Sequence, residues 1–319
     1  MRKNIDIRIF AFTAVLLFGV ASQVLAQDQP TQDPMELAAK NPKLFLATMV
    51  KQFGWVEPVE PMKVAGPIYF VGTKGLSVWL ITTSEGHILL NTGMPGSGPM
   101  IEASIRKLGF KPEDIKFMLT CHAHVDHVGG HAYLQKLSGA QVVMLDKEVD
   151  LLQSGGKDDF NYGDVPEFSF EPVTVDRVIR DGDTVKLGDI TLKAIHTPGH
   201  TRGSTTWVTD VTEGGKSYNV VFPDGTSANP GYRVAKDPSY PDIGDDFRHT
   251  FQVLEMLKPD IWLSPHTDTL NLEARRARTV KEGANAWVDP EGYRKWVVSQ
   301  HEKFEATVKK EMGAAAKSQ

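Results

Sequence analysis

The chain has 319 residues, of which 41% are hydrophobic and 24% are charged, and its formal net charge is −5 at pH 7. This length and hydrophobic content are enough for one large domain with its own core. A mildly acidic chain without a run of basic residues lacks the electrostatic surface typical of nucleic-acid binding, so a nucleic-acid partner is excluded from the expected functions.

The first 26 residues have the three parts of a secretory signal peptide. Residues 1–8 have an excess of positive charge, residues 9–21 are predominantly apolar, and residues 24–26 form a small-residue cleavage site. The apolar run is short for a membrane span, although an uncleaved anchor is the alternative. We therefore expect a periplasmic protein of residues 27–319 with no stable membrane anchor.

The mature sequence begins with an N-terminal arm and helix, residues 27–62, in which the helix is predicted from Met35 to Gly54. Runs rich in β-branched and aromatic residues predict strands over residues 68–71, 76–82, 87–91, 115–120, 142–145, 177–180, 190–196, 204–209, 218–222 and 260–263. Apolar residues at helical spacing predict helices over residues 101–108, 147–153, 245–257, 271–283 and 290–309. Strands followed by helices, twice over and without a linker, predict a single α/β (α+β) domain of two packed sheets with helices outside.

Three histidines and one aspartate lie within six residues, directly after the strand predicted over residues 115–120. Side chains at i and i+2 of an extended segment point the same way, so His122 and His124 can face one cation. Asp126 and His127 follow where the chain bends and can reach a second cation. Neutral imidazole and carboxylate are ligands that zinc accepts, so the pattern favours a metal site over a solvated histidine-rich loop.

Two further histidines occur in similar settings. His200 lies in a Pro-Gly turn after the strand that ends at residue 196, and His266 follows the strand that ends at residue 263. Three strand-end loops could therefore meet at one edge of the double sheet. Six ligands are enough for two sites of three, each with an open position, and open sites are the catalytic kind.

The chain has one cysteine, Cys121, so an intrachain disulfide is excluded and the fold must be held together by its core. Cys121 precedes His122, which would allow it to act as a metal ligand. On an extended strand, however, the two side chains face opposite ways, and a free cysteine is commonly a small buried hydrophobe. We therefore predict a packing role.

The His-x-His-x-Asp-His cluster, the Thr-Pro-Gly-His-Thr turn at residues 197–201 and the late Pro-His pair resemble the signature of the metallo-β-lactamase superfamily. The resemblance covers essentially the whole mature chain. It implies a four-layer αββα sandwich with a dinuclear zinc site at one sheet edge. By matching motif, the first zinc would be held by His122, His124 and His200, and the second by Asp126, His127 and His266.

Four further segments are similar to the third subclass of class B β-lactamases (subclass B3): residues 91–95, 155–160, 203–207 and 227–232. The chain departs from that pattern at Asn91, where the subclass usually has aspartate, and at Gly225, where it often has serine. It also lacks the late cysteine pair of many relatives. We expect Asn91 to weaken a supporting hydrogen bond, and Ser227 to be the contact for a substrate carboxylate.

The activity that this resemblance implies is hydrolysis of the β-lactam amide bond, which inactivates the antibiotic, by a hydroxide shared by two zinc ions. Asp126 would orient the hydroxide as well as bind metal, and the enzyme is expected to be a monomer. The alternatives are a lactonase or thioesterase of the same fold, or a non-catalytic periplasmic zinc-binding protein.

Two structural alternatives also remain. Asp224 could support a ligand, as the β-lactamase-like flanks favour, or bridge two metals as in the lactonases and glyoxalase II. The N-terminal helix could cover the metal edge or pack outside a sheet.

Overall fold

The computed structural model describes residues 38 and 40–316, and the strands within that part of the chain form two sheets. The first sheet has seven strands in chain order: β1 Met62–Ala65, β2 Ile68–Phe70, β3 Trp79–Thr83, β4 Gly86–Leu90, β5 Ile115–Leu119, β6 Gln141–Leu145 and β7 Arg177–Ile179. The second sheet has five: β8 Thr184–Leu187, β9 Ile190–His196, β10 Thr205–Glu213, β11 Lys216–Phe222 and β12 Ile261–Trp262. The predicted signal peptide lies outside the described residues, and it stays a prediction.

Helices precede, connect and follow these strands. Their bounds are α1 Pro42–Phe53, α2 Gly98–Lys107, α3 Val125–Val128, α4 His131–Ser138, α5 Val149–Gln153, α6 Ile243–Met256, α7 Leu272–Glu282 and α8 Pro290–Ala316. None of the helices described in residues 40–316 is long and apolar enough to cross a membrane.

The two sheets pack face to face through large apolar side chains. Trp79 of β3 lies with its ring centroid 6.2 Å from that of Phe222 on β11, and both side chains are buried. Trp207 of β10 is also buried, and its indole N–H donates to the backbone carbonyl of Thr120 at 2.9 Å. This bond fixes the end of β5, from which the histidine cluster continues. The predicted two-sheet α/β sandwich is confirmed.

The predicted elements differ from the observed ones mainly where tertiary contacts decide the backbone. β1 lies between Pro61 and Pro67, and β8 forms a short hairpin with β9; neither strand was predicted. β3 begins at Trp79 rather than at residue 76, because Leu76 forms an isolated bridge with His266 and the Ser77 N–H donates to the Pro265 carbonyl. Leu76 and Ser77, which were predicted to begin that strand, therefore hold the His266 loop in place.

Helix α1 begins at Pro42, within the predicted range, and Ala38 and Lys40 before it are also helical, with a break at Asn41. Proline suits the first turn because its missing N–H would have no helical partner there, and the side chain of Asn41 accepts a hydrogen bond from the Leu44 N–H at 3.1 Å. The helix ends at Gly54, which adopts φ +67°. Glycine takes that left-handed conformation without steric cost, and it turns the chain into the strand-rich part of the fold.

Candidate metal centre

Three strand ends place the predicted ligands at one edge of the sandwich. β5 leads into the histidine cluster, β9 into the turn that contains His200, and β12 into the loop that contains His266. The ring centroid of His122 lies 4.4 Å from that of His200 and 4.3 Å from that of His127, and the His127 and His266 centroids are 5.1 Å apart. The structure therefore brings residues that are 144 positions apart in sequence into one cluster.

The hydrogen bonds of His124 and His200 fix which nitrogen faces the centre. Nε2 of His124 donates to the Asp159 carboxylate at 2.9 Å, and Nδ1 of His200 donates to the Ser227 carbonyl at 2.6 Å. When both rings are neutral, the two remaining nitrogens, Nδ1 of His124 and Nε2 of His200, face each other as lone pairs 3.1 Å apart. Two buried lone pairs at that distance repel unless a cation lies between them.

His122 completes this group in the same way. Its Nδ1 donates to Oδ2 of Asp224 at 2.8 Å, and its Nε2 is buried without a hydrogen-bond partner. The candidate ligand atoms of His122, His124 and His200 all lie within 4.8 Å of one another. A carboxylate or carbonyl behind a histidine is the usual support of a metal ligand, because it orients the ring and selects the tautomer.

Burial also selects the neutral, metal-binding form of two of these rings. It lowers the pKa of His122 well below the usual histidine value and lowers that of His200 to about 3, with the neighbouring imidazoles adding to both effects. At His124 burial acts in the same direction, but the hydrogen bond and charge of Asp159 outweigh it and raise the pKa. A ligand must be neutral to bind metal, so a cation at this position would displace the remaining proton.

A second compact group consists of His122, Asp126 and His127, whose candidate ligand atoms also lie within 4.8 Å of one another. Oδ2 of Asp126 is 3.2 Å from Nε2 of His127 and 3.7 Å from Nε2 of His266. Burial would raise the pKa of Asp126, but the adjacent imidazoles outweigh it and keep the carboxylate ionised. His266 contacts this group from its open side, where Trp55 packs on its ring with the centroids 5.4 Å apart.

Asp224 lies behind the cluster rather than within either compact group of the described residues. Its carboxylate accepts from His122, and its backbone N–H donates to Oγ1 of Thr206 at 3.1 Å. Burial raises the pKa of Asp224 to about 7, and a cation on the far side of His122 would lower it again. The geometry favours the supporting role over the bridging one.

Two supporting carboxylates were not predicted individually. Glu148 is buried, and its two oxygens accept from the backbone N–H groups of Ala123 at 2.7 Å and Gly203 at 2.8 Å, which ties the histidine cluster to the His200 turn. Asp159, within a segment noted only for its resemblance, supports His124 and also accepts from the N–H of Tyr162. No sequence pattern identifies Glu148, because both of its partners are backbone groups distant in sequence.

The two departures from the family pattern have structural explanations. Asn91 adopts φ +65°, a conformation that asparagine tolerates, and its Oδ1 accepts from Oγ1 of Thr120 and from the Cys121 N–H, both at 3.0 Å. Both acceptor bonds are therefore made by an amide in place of a carboxylate. Gly225 has φ +87°, and a Cβ atom there would lie 2.0 Å from the Thr197 carbonyl oxygen, so serine does not fit this backbone.

Cys121 is buried in the hydrophobic core and belongs to neither ligand group. The Asn91 side-chain amide lies 3.7 Å from its sulfur. The predicted packing role is confirmed.

A cavity of about 330 Å³ opens onto the ligand groups. Ser227 lines it, with Oγ 3.0 Å from Nδ1 of His200. One wall belongs to α1, whose residues Phe45, Leu46, Met49 and Phe53 line the cavity, while Leu44 on the other face is 55% exposed. Of the two predicted positions for the N-terminal helix, the structure has the one beside the metal edge.

Comparison with known proteins gives matches over the whole sandwich and over parts of it. Residues 72–211 match the family model described as the metallo-beta-lactamase superfamily. The solved structure of BJP-1, a subclass B3 metallo-beta-lactamase of Bradyrhizobium japonicum, is 37% identical, with a TM-score of 0.78. That match covers 83% of this chain and 99% of the BJP-1 chain.

Curated relatives with other names match shorter segments. Hydroxyacylglutathione hydrolase of Rhizobium etli is 32% identical over 137 residues, which is 40% of this chain and 44% of that protein. N-acyl homoserine lactonase of a Bacillus species is 25% identical over 153 residues, which is 40% of this chain and 56% of that protein. The chain thus spans about half the length of these relatives.

The geometry predicts different outcomes for the two aspartates. Asp126→Ala should reduce zinc bound at saturation by about one ion per chain, because it removes a candidate ligand. Asp224→Asn should retain the full zinc content and weaken affinity by about 10- to 100-fold, as is typical when a supporting hydrogen-bond partner is changed. Metal analysis after equilibration at several zinc concentrations measures both effects. If Asp224→Asn loses an ion at saturation as Asp126→Ala does, Asp224 is a ligand.

Proposed function

Because this chain belongs to the metallo-beta-lactamase superfamily, we propose that it hydrolyses the amide bond of β-lactams. One observation supports this more than any other: unpaired, buried imidazole nitrogens of two adjoining ligand groups lie beside an open cavity of about 330 Å³. The β-lactam class of substrate is favoured over lactones and thioesters by the match to almost the full length of a subclass B3 enzyme.

The donor set fits zinc. His122, His124 and His200 would hold one ion, and Asp126, His127 and His266 would hold a second. Zinc supplies two kinds of chemistry in such sites: it lowers the pKa of a coordinated water to about 7, and it polarises a carbonyl group. The unpaired Nε2 of His122 and Nδ1 of His127 are the observation that fits, since burying them without a partner would otherwise cost about 1–3 kcal/mol each.

The chain's own groups would position the reactants. The Asp126 carboxylate, held ionised by its histidine neighbours, can accept a hydrogen bond from the attacking water and orient it toward the lactam carbonyl. The Ser227 hydroxyl, which lines the cavity beside His200, can donate to the substrate carboxylate. The apolar side chains of α1 would exclude bulk water and pack on the acyl substituent. No serine nucleophile is required.

The experiment that tests this proposal compares two substrates. Purified residues 27–319 should hydrolyse a cephalosporin, and should lose that activity with a chelator and regain it with zinc. An N-acyl homoserine lactone should be hydrolysed at least about 100-fold less efficiently, because it lacks the carboxylate and leaves polar groups of the site unpaired. Preferential lactone hydrolysis would establish the lactonase alternative, and zinc binding without hydrolysis of any ester, thioester or amide would establish the non-catalytic one.

Zinc stoichiometry tests the dinuclear assignment. The mature chain should bind two zinc ions, and the three-histidine group should fill first because imidazole suits zinc better than carboxylate does. Calorimetric titration of metal-free protein should therefore resolve a tight and a weaker event. In His200→Ala the tight event should disappear, whereas His266→Ala should affect the weaker one. A single ion at saturation would contradict the assignment.

The wall formed by α1 should select substrates by size. Phe45→Ala or Met49→Ala removes an apolar contact from the cavity, so KM should rise about 5- to 20-fold for β-lactams with a large apolar acyl group, as expected for about 1–2 kcal/mol of lost burial. KM for a small β-lactam should change little. Leu44→Ala, on the exposed face of the same helix, is the matched control. Equal effects on both substrates together with a lower Tm would indicate that α1 is only structural.

We further propose that residues 1–26 export the chain and are removed, which would place a monomeric domain of residues 27–319 in the periplasm, where it would inactivate the antibiotic. Expression of the full chain in a Gram-negative host should give a periplasmic protein with the mass of residues 27–319. A membrane-bound product of full-length mass would indicate an uncleaved anchor.

A further inference from the structure

The last helix forms a second wall of the cavity. Trp296, Gln300 and Lys303 of α8 line it, and their spacing of four and three residues places them on one face of the helix. Gln300 and Lys303 can donate hydrogen bonds into the cavity from a side-chain amide and an ammonium group, and Trp296 contributes its ring. A wall of donors suits an anionic ligand.

Packing on both sides of this stripe fixes α8 against the domain. Phe304 is buried, with its ring centroid 5.0 Å from that of Phe247 and 5.7 Å from that of Phe251 on α6. The Trp296 ring stacks on Trp262 of β12 at 5.3 Å. Its indole N–H is buried and has no hydrogen-bond partner. The donors therefore lie on a rigid element rather than on a loose tail.

The same helix is tied to the segment that follows Ser227. The Glu311 carboxylate accepts from the backbone N–H of Val234 at 3.1 Å and from that of Ala235 at 2.8 Å. These two bonds fix the C-terminal part of α8 to the loop that follows Ser227.

Lys303 is the one lysine or arginine among the described residues that line the cavity. The acidic lining residues are Asp126 and Asp224, which belong to the ligand cluster, and Asp268, which is exposed. Lys303 is itself exposed, and within residues 40–313 it forms no ion pair. Its ammonium group is therefore available to a bound molecule.

We propose that Lys303, with Gln300 beside it, binds the carboxylate of the β-lactam nucleus and selects anionic substrates. This inference rests on the proposed β-lactam hydrolysis and adds a specificity-determining contact from outside the sandwich. An ammonium–carboxylate hydrogen bond is charge-assisted, so it discriminates a free acid from its ester. The contact orients the substrate at the solvent-exposed edge of the cavity, and the bond that is cleaved lies at the ligand cluster.

The test compares a cephalosporin with its methyl ester, in the zinc-loaded protein. Lys303→Ala should raise KM for the free acid about tenfold, consistent with the loss of one hydrogen bond to a charged group. It should change kcat, and KM for the ester, by less than about twofold. Lys303→Arg should retain most of the discrimination. Lys295→Ala, on the same helix but paired with Glu291 and outside the cavity, should behave as wild type.

Equal effects of Lys303→Ala on acid and ester, or no effect on either, would overturn the inference. If wild-type protein hydrolyses neither compound, the proposed function fails, and calorimetric titration with the two compounds then tests Lys303 alone. A preference for the free acid that is lost in Lys303→Ala supports the anion contact, and equal affinities overturn it.

Discussion

Burial of imidazole nitrogens without hydrogen-bond partners is the constraint on which the rest of this structure depends. Nε2 of His122 and Nδ1 of His127 are buried and unpaired, and when both rings are neutral the lone pairs of His124 and His200 face each other at 3.1 Å. Such an arrangement is unfavourable in a low-dielectric interior unless a cation offsets it. The carboxylates behind the rings follow from the same constraint, because each one fixes the tautomer of a ring and would balance the charge of a bound metal.

Hydrogen bonds to the backbone around the cluster hold the three ligand loops together in this geometry. Glu148 joins the first histidine loop to the His200 turn through two backbone N–H groups, and Asn91 holds the end of β5 through Thr120 and Cys121. The His266 loop is held by Leu76 and Ser77, which leave their own strand to do so. Each ligand loop is thus fixed by residues that belong to neither ligand group.

The difference between ligand residues and the residues that fix their loops explains what the sequence could predict. The alternation of His122 and His124 on an extended segment, and the position of each later histidine after an apolar strand, are local patterns that predicted both the sheets and the metal edge. Glu148 and the bridge at Leu76 have no local pattern, because their partners are backbone groups brought close only by the fold. β8 was missed for a related reason: its four residues become a strand by pairing with β9.

The walls of the cavity belong to elements outside the sandwich, and this is why the ligand motifs alone do not identify a substrate. The motifs specify the strand ends and the candidate ligand groups, and relatives with different names match about 40% of this chain. α1 supplies Phe45 and Met49 and α8 supplies Trp296 and Lys303, so one wall is apolar and the other ends in a cation. A molecule with an apolar substituent on one side and an anionic group on the other matches both walls. Substrate choice is therefore expected to change with the two terminal helices while the ligand cluster stays the same.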